Sequence, residues 1–173
     1  MGRAGHAART TSVTDSIVIH RSPLELYGMV GDVTRMGEWS PENMGARRRS
    51  GGAARVGDEF VGWNTRGRVS WSTLCTVTRA EPGREFAFRV HEIGGPKRRV
   101  SARIATWRYT FEDHDGGTLV TETWTDDRPW PDAIARVFDH LATGGRTFAA
   151  FQRGNIRRTL RRLKEIAEAD VVR

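Results

Sequence analysis

Cysteine is all but missing from this chain: Cys75 stands alone among 173 residues. No internal disulfide can therefore form, and the usage matches a reducing, cytoplasmic setting. Long apolar runs are missing too. No window approaches the ~18 residues that a membrane-spanning helix needs, so no membrane span is expected. Met1 to Thr11 (MGRAGHAARTT) is small and basic and has no apolar core of the kind a secretory signal carries. Residues 1–13 read as a disordered leader, and residues 14–170 as a single domain.

Catalytic signatures are scarce as well. The histidines (His6, His20, His91, His114, His140) show no metal-ligand spacing and no cysteine partner. There is no Gly-x-Ser-x-Gly elbow, no phosphate-cradling loop and no dinucleotide fingerprint. No cofactor and no metal are expected, and any enzyme activity is restricted to acid–base chemistry on a bound ligand. Acidic residues number 21 against 28 Lys and Arg, for a formal charge of +7. Arginine dominates the basic set, as in GC-rich bacterial genes. The cations are dispersed over Arg47-Arg48-Arg49, Lys97-Arg98-Arg99 and the late Arg157, Arg158, Arg161 and Arg162. A nucleic-acid surface gathers its cations on one face with stacking aromatics among them. Solvated surface fits better here, and no nucleic-acid partner is expected.

Tryptophan is what the chain has in quantity, with six in all. Five of them (Trp39, Trp63, Trp71, Trp107, Trp124) lie in or just before segments that alternate with a period of two. Those segments are Thr14 to His20, Asp58 to Asn64, Val69 to Arg79, Glu85 to His91, Ser101 to Glu112 and Thr118 to Asp126. Pro82-Gly83 and Asp115-Gly116-Gly117 join successive members as tight turns, which predicts an antiparallel meander. Ser22-Pro23 starts a helix after the first strand, with Ser22 as N-cap and Pro23 at the first helical position. Val33 to Glu38 forms a second short one. From Trp130-Pro131 the period changes to about 3.6. After a break at Gly144-Gly145, Phe148, Gln152, Ile156, Leu160, Leu163 and Ala167 make one stripe of a long helix, with the four late arginines on its other side.

These features resemble the START-like or helix-grip proteins, and more narrowly the SRPBCC polyketide cyclase/dehydrase type. The resembling residues are Ser22-Pro23 with Tyr27 and Asp32, Trp39-Ser40-Pro41-Glu42, and the run Val56 to Asn64. Trp71 with Cys75 and Val77, Pro82 to Phe88, Trp107 with Tyr109, Gly117-Thr118 with Thr121-Glu122, and Leu160 with Arg162-Leu163-Lys164 complete the set. They span roughly residues 14 to 168. The resemblance implies an α+β fold: a curved seven-stranded antiparallel sheet wrapped around a long C-terminal helix, with two short helices after the first strand. It also implies a cavity between sheet and helix for a hydrophobic or amphipathic small molecule.

Strand parity nominates the lining: Phe60, Asn64, Trp71, Thr73, Phe86, Phe88, Trp107, Tyr109, Glu122 and Trp124, together with Gly62, Cys75 and Val90. Phe138 and Phe148 would close the hollow from the helices, and Trp39 would stand near its mouth. Glu122 and Tyr109 are the catalytic candidates, because a carboxyl buried among aromatics has a raised pKa and can serve as general acid or base. The alternative places Glu122 toward water beside Arg108. Cys75 reads as a small buried hydrophobe and His91 as a solvent-facing residue. Three functions remain open: binding of a lipid or polyketide-like molecule, cofactor-independent cyclisation or dehydration, and an interaction module built on the basic helix. A homodimer is compatible with the sequence. The segment Trp130 to Thr147 is expected to be more mobile than the sheet, as a gate.

Overall fold

A computed structural model describes residues 9–48, 52–95 and 98–169. Residues 1–8 of the expected leader, Arg49 of the first arginine run, Gly51 of the Gly51-Gly52 turn, and Pro96 and Lys97 of the basic loop lie outside the described residues.

Strand β1 (Ser12–Ile19) starts two residues earlier than the parity of its apolar residues indicates, and Val13 is already buried. Ahead of that strand the Arg9 guanidinium donates to the Arg128 carbonyl at 3.1 Å and pairs with Asp126 at 3.3 Å. Helix α1 (Pro23–Gly31) opens as expected on a reciprocal cap. The Glu25 N–H donates to Ser22 Oγ at 3.3 Å, and the Ser22 N–H donates to the Glu25 carboxylate at 3.0 Å. Such a cap stabilises a helix by about 1 kcal/mol. The second short helix, Val33–Glu38, is of the tighter 3-10 type.

Six more strands follow: β2 (Asn43–Arg48), β3 (Glu59–Arg66), β4 (Val69–Glu81), β5 (Glu85–Gly95), β6 (Arg98–His114) and β7 (Gly117–Asp126). They form one antiparallel sheet in the order β1-β7-β6-β5-β4-β3-β2. β2 carries no alternating apolar signal (NMGARR), and a bulge at Gly45 breaks its register, so its sequence does not read as a strand. β5 and β6 both run further than their apolar residues suggest. Gly94 and Gly95 pair with Arg99 and Arg98, and a Cβ at Gly94 would collide with the Arg98 carbonyl. Helices α2 (Asp132–Thr143) and α3 (Phe148–Ala169) complete the chain. Gly144 ends α2 in the left-handed conformation, which glycine adopts without strain. This is the helix-grip fold, and among the described residues no helix is long and apolar enough to cross a membrane.

The concave face is filled at one end and hollow at the other. At the filled end Leu26, Tyr27 and Val30 of α1 meet Phe86, Phe111 and Val120 of the sheet and Leu160, Leu163 and Ala167 of α3. Tyr27 stands edge-on to Phe86 and Phe111, with ring centroids 6.3 and 6.1 Å apart. Toward its N-terminus α3 turns Gln152, Asn155 and Thr159 to the sheet instead, and there the two layers do not close on each other.

Candidate functional site

The space left between those layers is a cavity of about 730 Å³. Its walls follow from strand parity: Phe60, Gly62 and Asn64 from β3, Trp71, Thr73 and Cys75 from β4, Phe88 and Val90 from β5, and Glu122 and Trp124 from β7. β6 contributes both Ile104 and Ala105, because the register shifts opposite Val90 and Glu92, and then Trp107 and Tyr109. Phe138 of α2 and Phe148 of α3 close the side. Phe148 lies nearly parallel to both Trp124 and Phe138, at centroid distances of 6.5 and 6.3 Å.

Two of the nominated residues lie elsewhere. Phe86 shares the concave face but falls at the filled end, completely buried under α1. Trp39 does not stand at a mouth. The 3-10 helix packs on β2, and that contact turns the Trp39 ring into the core, with the Arg35 guanidinium 5.9 Å from its centre.

Glu122 faces inward, directly across the ladder from Tyr109. The alternative of a water-facing Glu122 beside Arg108 is overturned: Arg108 lies on the convex side and holds Glu85 at 2.8 Å. The Tyr109 hydroxyl donates to Glu122 Oε1 at 2.8 Å. Glu122 Oε2 is buried and has no hydrogen-bond partner in the chain. Burial pushes the carboxyl up to about 8, against the opposing pull of the Tyr109 hydrogen bond. The phenol is pushed well above its ordinary value, first by burial and then by the neighbouring carboxyl. Glu122 is thus a neutral acid across much of the physiological range, with one oxygen uncommitted.

A strip of amides and hydroxyls lines the β3–β4 wall. Asn43 Nδ2 donates to Asn64 Oδ1, and Asn64 Nδ2 to Thr73 Oγ1, both at 3.4 Å. Across from it, Asn155 Nδ2 reaches Gln152 Oε1 at 3.2 Å and Glu42 Oε2 at 2.9 Å. Glu42 also pairs with Arg66, whose guanidinium lies 3.9 Å from the Phe151 ring centre. Cys75 sits in this wall as an inert thiol, pushed up to about 12 by burial. His91 faces the convex side, half-buried, with Nε2 at 2.9 Å from the Thr76 hydroxyl. Among the described residues no three His, Cys, Asp or Glu side chains come together as a metal site.

A buried charge cluster fixes the α2 side. Arg128 Nη2 donates to Asp126 at 2.7 Å and to Asp139 at 2.8 Å. Burial works against the Arg128 charge, but its hydrogen bonds to the two carboxylates outweigh that and hold its pKa above the ordinary value. Asp139 also accepts the backbone N–H of Phe148 at 2.9 Å, so a single carboxylate joins β7, α2 and the start of α3. The sequence reading missed Arg128, Asp139, Glu42, Arg66 and Asn155. Only the α3 residues left a signal: Gln152, Asn155 and Thr159 recur at spacings of three and four beside the apolar stripe.

None of the curated proteins compared with this chain is significantly similar to it in sequence. Among solved structures it is similar to the Polyketide_cyc-like protein Cgl2372 from Corynebacterium glutamicum, at 27% identity and a TM-score of 0.53, over 92% of this chain and 93% of that one. Protein Ms6760 from Mycobacterium smegmatis shares the fold at 18% identity and a TM-score of 0.63, over 93% of both chains. The di-domain ARO/CYC StfQ of the steffimycin biosynthetic pathway shares it at 14% identity and a TM-score of 0.66, over 94% of this chain and 52% of that one. The family described as polyketide cyclase/dehydrase and lipid transport matches residues 10–168. The chain belongs to that family.

Proposed function

We propose that the chain binds a hydrophobic or aromatic small molecule, lipid or polyketide-like, in the hollow between the sheet and α3. The supporting observation is the cavity itself. At about 730 Å³ it exceeds any ordinary packing void. It also falls within the roughly 300–1,000 Å³ of small-molecule sites, which are mostly apolar with a few placed polar groups. Trp71, Trp107 and Trp124 supply flat apolar walls, and the Asn64–Thr73 strip suits the polar edge of an amphipathic occupant. The lone Cys75 agrees with a cytoplasmic protein.

The test is uptake of the neutral dye N-phenyl-1-naphthylamine, together with mass spectrometry of any molecule that co-purifies. Ala102 borders the cavity, so Ala102→Trp should abolish uptake. Dye binding that is unchanged by that substitution would remove the cavity from consideration.

A second reading is cofactor-independent cyclisation or dehydration, favoured by the uncommitted Oε2 of Glu122. In its acid form Glu122 can donate to a carbonyl oxygen; as a carboxylate it can take the proton next to one. Tyr109 holds the carboxyl in place through Oε1. Glu122→Gln should then stop turnover of an aromatic polyketide while dye binding persists. Turnover that survives the substitution removes Glu122 from the chemistry, and absence of turnover in the unaltered protein leaves binding as the function. The interaction module built on the basic helix has less support, because Arg157 is engaged by Asp15 and Arg158 by Asn155.

A further inference from the structure

We propose that the cavity rim, with the outward face of α2 at its centre, is a docking surface for an anionic phospholipid bilayer. This rests on the binding reading only for what then enters the hollow. The starting point is an inversion in α2. An amphipathic helix on a globular protein turns its apolar stripe to the core. Here the buried residues are Ala135 and Asp139, whereas Ile134, Val137, Phe138 and Leu141 are 58, 64, 45 and 78% exposed. The stripe lies at the entrance, because Phe138 and Leu141 also border the cavity. Val69 and Val100 border it too, and they are 65 and 63% exposed. Arg66 Nη1 donates to the Ala142 carbonyl at 2.8 Å, which fastens the end of β3, next to Val69, beside the last turn of α2.

Charge selects the partner. Arg68 in the β3–β4 turn, Arg98 at the start of β6 and Arg146 just after α2 are all exposed. None of these three guanidinium groups has a partner among the described residues. The acidic side chains of the same region are already engaged: Asp132 by Arg9, Asp139 by Arg128 and Glu92 by Arg99. The rim is therefore apolar at its centre and positive around it, the composition that settles at an anionic headgroup boundary. A second copy of the chain would bring these arginines face to face, which like charges disfavour. A bilayer would also store a hydrophobic occupant at the entrance.

The test is flotation of the full chain with phosphatidylcholine vesicles containing about one-third phosphatidylglycerol, against pure phosphatidylcholine vesicles. Binding to the anionic vesicles is expected. It should weaken as salt rises from about 0.1 M to about 1 M, where the screening length falls about threefold. Neither Ile134 nor Val137 borders the cavity, so the double variant Ile134→Asn, Val137→Asn should lose about tenfold or more in partitioning. Its uptake of N-phenyl-1-naphthylamine and its urea midpoint should stay put. Arg68→Ala with Arg146→Ala should weaken binding and flatten the salt dependence. Absence of binding to anionic vesicles overturns the proposal, as does binding that the double variant retains. Self-association of the wild type, abolished in the double variant and without vesicle binding, would assign the face to a second copy. Vesicle binding without dye uptake would leave the docking surface standing and sink the cavity reading instead.

Discussion

Replacing Glu122 by Gln should change how the stability of the protein depends on pH, and the sign follows from the site. In the unfolded chain the carboxyl ionises near its ordinary 4.5; in the folded protein it does so only at about 8. Between those values the folded state holds a proton that the unfolded state has released. Stability therefore falls as pH rises, at about 1.4 kcal/mol per pH unit. Below 4.5 both states are protonated, and above about 8 both are ionised and the loss is complete. The interval corresponds to on the order of 5 kcal/mol, an upper figure because water entering the cavity relaxes the burial penalty. The amide introduced by Glu122→Gln keeps the shape and an acceptor for the Tyr109 hydroxyl but has nothing to ionise. Asp15, Glu25, Glu38, Glu85 and Glu168 are held below their ordinary values by hydrogen bonds. Their contributions lie at lower pH and are common to both proteins, so they cancel in the difference. Urea denaturation of both proteins at intervals from about pH 5 to about pH 9 supplies the measurement. The advantage of the variant should grow by several kcal/mol up to about pH 8 and then level off. A difference that does not vary with pH over that range would refute the buried, neutral carboxyl.

Tyr109→Phe removes the one hydrogen bond to Glu122 and leaves both carboxyl oxygens without a partner, at a cost of about 1–3 kcal/mol. The same substitution should raise the Glu122 midpoint further, because that hydrogen bond is what opposes burial; an infrared carboxyl titration that shows it unmoved counts against the pairing. Asp139→Ala strips Arg128 of one partner and the Phe148 N–H of its acceptor, and should cost about 3–5 kcal/mol. Asp139→Asn keeps the acceptor and should cost about 1 kcal/mol less, and in both variants hydrogen exchange across residues 132–143 should quicken relative to β5 and β6. Phe86→Ala should cost about 3–5 kcal/mol with dye affinity intact. Trp107→Ala, at a half-buried cavity wall, should cost less stability and weaken the dye; the reverse pattern would misplace the hollow.

What could be read from the sequence was whatever repeats. The period-two alternation of Trp107, Tyr109 and Phe111, or of Val120, Glu122 and Trp124, fixes which side chains share a face. The sheet then places those sets on its concave side. Helix starts were legible because capping is local: Ser22 and Glu25 lie three residues apart and satisfy each other. β2 was not legible, because its place is set by backbone pairing with β3 and not by its own side chains. The extension of β5 through Gly94 and Gly95 fails for the same reason, since residues that favour turns are held there by the ladder.

Site residues divide along the same line. Parity could say that Phe86 and Phe88 face the same way, but not that α1 covers one of them and leaves the other open. That distinction depends on where a helix lands, which is a long-range fact. Arg128 was invisible for a related reason: its meaning comes from Asp126, two residues away, and from Asp139 on the next helix, and either alone reads as an ordinary surface acid. Glu122 lies between these cases. Its direction was a parity inference, but its chemistry depends on Tyr109 being its direct neighbour across β6 and β7 and on the cations of the wall, Arg66 and Arg128, being engaged by other carboxylates and not by Glu122. Had Arg108 faced inward in place of Tyr109, the carboxyl would be an ordinary ion pair, held low and charged. Because the ladder puts a phenol there instead, the deepest polar group in the cavity is an acid that keeps its proton, and an occupant with a neutral oxygen fits it better than one with a charged carboxylate.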